Sequence, residues 1–422
     1  MAVHFTIDPD ITRAWTPPAR MYTDAAFYAA ARERIFARSW QLVAHLDQAR
    51  VPGQVYPFTL LEGCLDAPLL LVRDRTDRLH CMSNVCTHRG MLVCEHAGIE
   101  SFLRCRYHGR RFALDGKFES MPEFEEAADF PGDADNLPRV PLATWGPFIF
   151  AALGRGGSFG QRESLSSPDL FPQKGGQSSS LPTAEAQRSS LPEGPSLPPY
   201  QGRTHGGFDD WIAPVRERVG WMPISQFKFD ASRSRDYLVR ANWALYCENY
   251  LEGFHIPFVH SSLAETLDYG SYRTELFDRG SVQIGVARGG ENAFSIPAGS
   301  PDHGREIAGY YFWLFPNLML NFYPWGLSIN VVRPLGVDRT RVSFLSYVWD
   351  ESKLDAGAGA GLDRVEREDE AIVEAVQRGL QSRLYDRGRY SPTREQGTHH
   401  FHRMLAEAML TETYSERDQN RE

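Results

Sequence analysis

Nowhere in its 422 residues does the chain approach the roughly 20 consecutive apolar residues of a membrane-spanning helix; the longest apolar runs, near Pro68–Val72 and Tyr310–Leu320, are strand-length or interrupted. Basic blocks are missing too. Forty-five Lys and Arg stand against 54 Asp and Glu, a formal charge of -9, so no stretch can neutralise a phosphate backbone and neither nucleic acid nor a membrane is an expected partner. The opening residues, MAVHFTIDPDITRAW, lack the basic and apolar segments of a secretory signal, which points to the cytoplasm. Cysteine is scarce: Cys64, Cys81, Cys86, Cys94, Cys105 and Cys247 are too few for a disulfide scaffold in a chain of this length, which leaves buried thiols or metal ligands.

What is present divides the chain. Residues 1–40 read as an irregular arm and a helix, with Thr23 and Asp24 as possible caps and Phe27, Ile35, Phe36 and Trp40 as an apolar stripe expected to pack on the later part of the chain. Residues 41–153 carry short apolar runs separated by Gly, Asp and Pro, the pattern of a small antiparallel β domain. Residues 154–207 form an insert or linker, since ten serines and seven prolines lie between Ser158 and Pro199 and such a composition buries little apolar surface; it is expected to tolerate shortening. From 208 to 412 strand-like runs (Tyr237–Arg240, Tyr310–Tyr323, Val342–Trp349) mix with helical ones (Leu362–Leu384, Gly397–Met409), and 413–422 is a tail. The fold class is α+β: a small antiparallel β domain followed by a domain with an antiparallel sheet flanked by helices.

Two constellations carry chemistry. In the first, Cys86-Thr-His88-Arg-Gly90 is followed, with 16 residues between His88 and Cys105, by Cys105-Arg-Tyr-His108-Gly109. One thiolate and one imidazole from each of two loops suit a Rieske [2Fe-2S] cluster, in which one iron takes two Cys and the other two His. A structural zinc site could use the same residues, but zinc loops usually pair Cys with Cys and His with His. Cys94-Glu-His96 is a decoy, eight residues from Cys105 and without the following Arg-Gly. The second constellation holds His255 and His260, five residues apart and so about 140° apart on a continuous helix. Pro257 is expected to end or kink that helix and fold His260 back toward His255. Two imidazoles need one carboxylate to make an open Fe(II) site, and by chemistry alone Glu366, Glu368, Asp369 and Glu370 all qualify.

Together these motifs resemble the large (α) subunits of Rieske non-heme iron oxygenases, over most of the chain outside the insert. Arg106 and Arg110 stand where that family commonly has Pro and Trp, and Met91 and Tyr107 stand where respiratory Rieske proteins carry extra cysteines. The resemblance implies that Asp369 completes the iron site and that Glu252 couples a cluster His of one subunit to an iron His of the next; Asn249 is a candidate supporting residue. It further implies a homotrimer, and electrons from NAD(P)H delivered by a flavin/iron-sulfur reductase, directly or through a ferredoxin. The tracts Gly388–Pro392 and Thr398–His402 resemble the choline monooxygenase branch, which implies O2-dependent hydroxylation or oxidative N-demethylation of a small substrate such as a quaternary ammonium compound. Aromatics at Tyr310–Pro316 and Asn321–Trp325 could meet such a cation but equally form apolar core, so an aromatic ring-hydroxylating dioxygenase is the alternative, and a Rieske electron carrier the non-enzyme one. The helical context of His399, His400 and His402 points to a surface or interface role.

Overall fold

A computed structural model describes residues 3–154, 207–260, 268–288, 292–354, 356–359 and 362–410; the insert expected at 154–207 and the tail therefore lie, but for Gly154 and Gly207, outside the described residues. Its centre is a seven-stranded antiparallel sheet, in spatial order Lys228–Val239, Arg339–Val348, Gly326–Gly336, Leu318–Tyr323, Ile307–Leu314, Gly280–Val286 and Arg273–Phe277. The run Tyr310–Tyr323, taken from its pattern as one strand, is two. Chain reversal at Phe315–Asn317 pairs Tyr311 with Asn321 and Trp313 with Met319. Because side chains alternate along a strand, Tyr311, Asn321 and Tyr323 share one face, while Phe312, Leu320 and Phe322 join the core on the other.

The second face packs on the amphipathic helix Phe208–Val219, which buries Phe208, Trp211, Ile212, Val215 and Val219, and on aromatics of the strand Phe148–Ala151. The first face receives the helices that carry the second constellation. Trp243–Tyr250 begins at Asn242, whose side chain accepts from the amide of Ala244 and donates to the carbonyl of Val337. Leu362–Gly379 lies beside it, and Gln377 accepts from the backbone N–H of Asn242 at 2.8 Å. That helix stops at Gly379 rather than at Leu384, whose side chain is almost wholly exposed and offers no burial to extend it. Gln396–Leu410 and the N-terminal helix Ala25–Arg34, capped by Asp24, close the same side through Phe27, Trp243 and Phe401. Phe27, Ile35, Phe36 and Trp40 are all buried, yet the helix ends at Arg34, and Trp40 enters the core on the opposite face.

Residues 41–151 build three small antiparallel sheets: one of four strands from Gln54–Leu60, Ala67–Arg73, Leu79–Ser83 and Gly98–Ile99, one from Leu103–Arg104, Arg111–Phe112 and Phe118–Ser120, and one from Gln41–His45, Leu142–Trp145 and Phe148–Ala151. Val55, Leu70, Met82, Leu103 and Phe112 form their own core directly beneath Cys86 and Cys105.

Candidate metal centres and active site

The two ligand loops repeat one design. Cys86 N–H donates to the carbonyl of Met91 and Gly90 N–H to that of Cys86; Cys105 N–H donates to Arg110 and Gly109 N–H to Cys105. Gly90 and Gly109 close these turns with φ of +71° and +77°, a region costly for residues with a Cβ. The loops hold both thiols inward, where burial, opposed by the amide of His88, raises the Cys86 thiol and the two sulfurs interact. His88 and His108 stand further out, edge to face at 4.7 Å between ring centres. The His108 Nδ1 is buried without a hydrogen-bond partner, as a nitrogen that ligates a metal would be. Two thiols and two imidazoles so gathered fit a [2Fe-2S] cluster. Cys94 does not join them; its sulfur faces the carbonyl of His96.

The second site forms at the break after Trp243–Tyr250. Pro257 does not kink that helix. The chain has already left it at Leu251, and Pro257 sits in the first turn of the short helix Ile256–Val259, where a missing N–H costs nothing. His255 is the cap before this turn and His260 the cap after it, so one turn brings their rings to 5.1 Å. Both Nε2 atoms point at one oxygen: Asp369 Oδ1 lies 3.0 Å from His260 and 3.5 Å from His255. Candidate ligand atoms of these three residues lie within 4.8 Å of one another, which makes this the one such group among the described residues.

Each member is held from behind. Glu252 meets His255 Nδ1 at 2.6 Å and also accepts from the backbone N–H groups of Phe254 and His255. Glu368 meets His260 Nδ1 at 2.7 Å, and Asn249 donates to Asp369 Oδ1 at 3.0 Å. A carboxylate on Nδ1 fixes the tautomer that leaves Nε2 free to ligate. Burial opposes charge on His260, but hydrogen bonds to Asp369 and then to Glu368 outweigh it and raise the imidazole above its usual value. Of the four acids left open by the sequence, only Asp369 reaches both Nε2 atoms. Glu366 points into the adjoining cavity, and burial lifts its carboxyl well above the usual range, although the Tyr246 hydroxyl bonded to it pulls the other way.

That cavity is lined by Tyr246, Tyr250, Tyr272, Tyr311, Tyr323 and Phe344, with Gln283, Asn321, Ser328 and Asn330 as its polar groups. Tyr250 donates to Asn321 at 2.8 Å, and Asn321 donates to Asn330 at 3.1 Å, so the polar side chains are fixed before any ligand arrives. Sequence reasoning missed Gln283, Ser328 and Asn330. Buried polar residues alternating with apolar ones in Gly326–Gly336 were the available signal for the last two. The three histidines of Gln396–Leu410 are buried, not superficial: His399 and His400 face the carbonyls of Asp8 and Phe277, and His402 faces Tyr390 and Glu248. Burial lowers His399 and takes His400 to about 4, so both act as neutral donors that pin the C-terminal helix.

A mixed-ligand cluster site and a two-histidine, one-carboxylate site on an antiparallel α+β frame define the large subunit of a Rieske non-heme iron oxygenase, and the chain belongs to that family. Residues 39–131 match the Rieske [2Fe-2S] domain, and residues 221–411 match the ring hydroxylating alpha subunit (catalytic domain). Choline monooxygenase of Arabidopsis thaliana is 31% identical over 413 residues, 94% of this chain and 84% of the relative. The carnitine monooxygenase oxygenase subunit of Escherichia coli (strain K12) is 26% identical over 93% of this chain and 94% of its own. A solved quaternary ammonium Rieske monooxygenase superposes with a TM-score of 0.68 at 20% identity, over 95% of this chain and 97% of that one, which speaks to the fold. The protein is thus an oxygenase component that uses O2 and reductase-supplied electrons, with a [2Fe-2S] cluster and mononuclear iron as cofactors. No helix among the described residues is long and apolar enough to cross a membrane.

Proposed function

We propose that the substrate is a small quaternary ammonium cation without a carboxylate, of the choline type, and that His255, His260 and Asp369 hold the iron that oxidises it. The observation that carries this reading is the cavity beside Asp369. Its tyrosines and the buried carboxyl of Glu366 suit a permanent cation, and no Lys or Arg lines it among the described residues. A carboxylated substrate would need such a partner, because an unpaired buried carboxylate is costly.

The iron, when bound, supplies reductive activation of O2; one oxygen atom enters a substrate C–H bond and the other leaves as water, with two electrons and two protons consumed. The chain's own residues do the rest. Tyr272, Tyr311 and Tyr323 hold the cation, Glu366 gains a countercharge that favours its ionised form, and Asn249, Glu252 and Glu368 keep the ligand atoms aimed. Hydroxylation at the carbinol carbon gives an aldehyde with the nitrogen intact, whereas hydroxylation of an N-methyl group releases formaldehyde.

The reading extends to the assembly. Cys86, His88, Cys105 and His108 hold the cluster, within a cluster unit at 41–153 and an iron unit at 208–412, and Glu252 couples His255 to His108 of the partner subunit in a cytoplasmic homotrimer served by a flavin/iron-sulfur reductase. The 2.6 Å contact of Glu252 with His255 Nδ1 supports the His255 half of this link. Substrate-dependent NAD(P)H oxidation with a surrogate reductase tests the substrate class: choline should be turned over in preference to L-carnitine and to aromatic acids. A preference for an aromatic acid would replace this reading by that of a ring-hydroxylating dioxygenase.

A further inference from the structure

The residues between the strand Phe118–Ser120 and Leu137 lie over the first cluster loop and are fastened to both loops. Phe124 stands edge-on to His88, with ring centres 5.4 Å apart. Thr87, between Cys86 and His88, donates from its hydroxyl to the carbonyl of Asp135 at 2.8 Å. Arg110, whose carbonyl accepts from Cys105 N–H, forms an ion pair with the Asp135 carboxylate and a 3.3 Å hydrogen bond to the same carbonyl. Asp135 therefore receives Thr87 from one ligand loop and Arg110 from the other.

Arg110 is an unusual cation. Only 2% of its side chain is exposed, and its guanidinium lies 4.9, 5.5 and 5.8 Å from the ring centres of Phe118, Phe130 and Phe112. An arginine does not give up its proton in such a place. Its partner differs: the Asp135 side chain is 22% exposed, so water screens the negative charge more than the positive one. Arg89, Arg104 and Arg106, also in or beside the loops, are exposed, and their fields are screened likewise. The exposed Glu123, Glu125, Glu126, Asp129 and Asp133 of the covering segment are screened in the same way, which leaves buried Arg110, offset in part by Asp135, as the least screened charge at the loops.

We infer that Arg110, partly offset by Asp135, sets the reduction potential of the cluster, holding it higher than the same ligand loops would give without the cation. Reduction adds one negative charge to the cluster, and a fixed cation in a low-dielectric setting favours the reduced form. The side chain of Arg110 is held by its contacts to Asp135, and its charge acts on the cluster through space. The inference rests on the reading that Cys86, His88, Cys105 and His108 hold the cluster.

The test is an anaerobic redox titration of the full-length holoprotein, read by the visible and electron paramagnetic resonance signals of the cluster. Arg110→Gln removes the cation and should lower the midpoint potential; Asp135→Asn keeps the shape, leaves the cation uncompensated and should raise it. A tenfold change in the reduced-to-oxidised ratio at fixed poise, about 59 mV for one electron, is the expected scale for each. Opposite shifts cannot come from general loosening of the loops. Unshifted potentials, or shifts of the same sign with intact signals, overturn the inference. If Arg110→Gln loses its cluster, Arg110→Met, which fills the same apolar pocket without the charge, decides in its place: a lowered potential supports the inference and an unlowered one overturns it. Absence of the signal from the unaltered protein would overturn the cluster reading itself, a distinguishable result.

Discussion

Single side chains set the chemistry here through what stands behind them. Glu368 meets His260 Nδ1 and favours the protonated ring. A raised imidazole keeps its proton to a higher pH, so iron must displace that proton over a wider range. Metal affinity should thus fall about tenfold per pH unit below a threshold above 6.5 and level off beyond it. Glu368→Gln should weaken iron binding about 10- to 100-fold and move the threshold down, as titrations of the apoprotein with Fe(II) at several pH values would reveal; an unchanged threshold would mean that Glu368 does not act on His260. Glu366→Gln keeps the volume and the hydrogen bond from Tyr246 but cannot ionise. It should raise the KM for a quaternary ammonium substrate about tenfold or more while leaving iron content intact, and an unaltered KM would remove Glu366 from cation recognition.

Among the elements, the break between Trp243–Tyr250 and Ile256–Val259 decides the iron site. Pattern reading foresaw that His255 and His260 must converge, because a five-residue spacing cannot face one metal on an unbroken helix. It assigned the break to Pro257, whereas the structure puts it at Leu251–Phe254, where Glu252 takes up the backbone N–H groups of Phe254 and His255. Pro257→Ala should therefore cost less than about 1 kcal/mol and keep the iron; loss of iron with an intact fold would return the break to proline. The cluster loops could be proposed from the sequence because their candidate ligands are local in sequence and glycine-marked. Asp369 was legible only through family resemblance, for four acids crowd that helix and only its packing against Asn249 singles one out. The cavity was least legible, because Gln283, Asn321, Ser328 and Asn330 come from neighbouring strands whose register no local pattern encodes. The buried histidines of Gln396–Leu410 failed for a related reason: their partners at Asp8 and Phe277 are remote in the chain.

At the scale of the whole molecule, two metal sites stand on separate frameworks, and the account requires electrons to pass between them. If they pass between subunits through Glu252, chains carrying Cys86→Ala and chains carrying His260→Ala, each inactive alone, should regain partial activity when co-assembled; mixed oligomers that keep their intact sites and stay inactive would confine the transfer to one chain. The central claim is narrower, that one chain holds a cluster and a separate mononuclear iron. Iron and acid-labile sulfide analysis tests it most directly. The full-length protein should hold about three irons and about two sulfides per chain, and Asp369→Ala should hold about two irons with the visible spectrum of the cluster unchanged. Two irons in both proteins, or loss of the cluster spectrum on changing Asp369 alone, would contradict it.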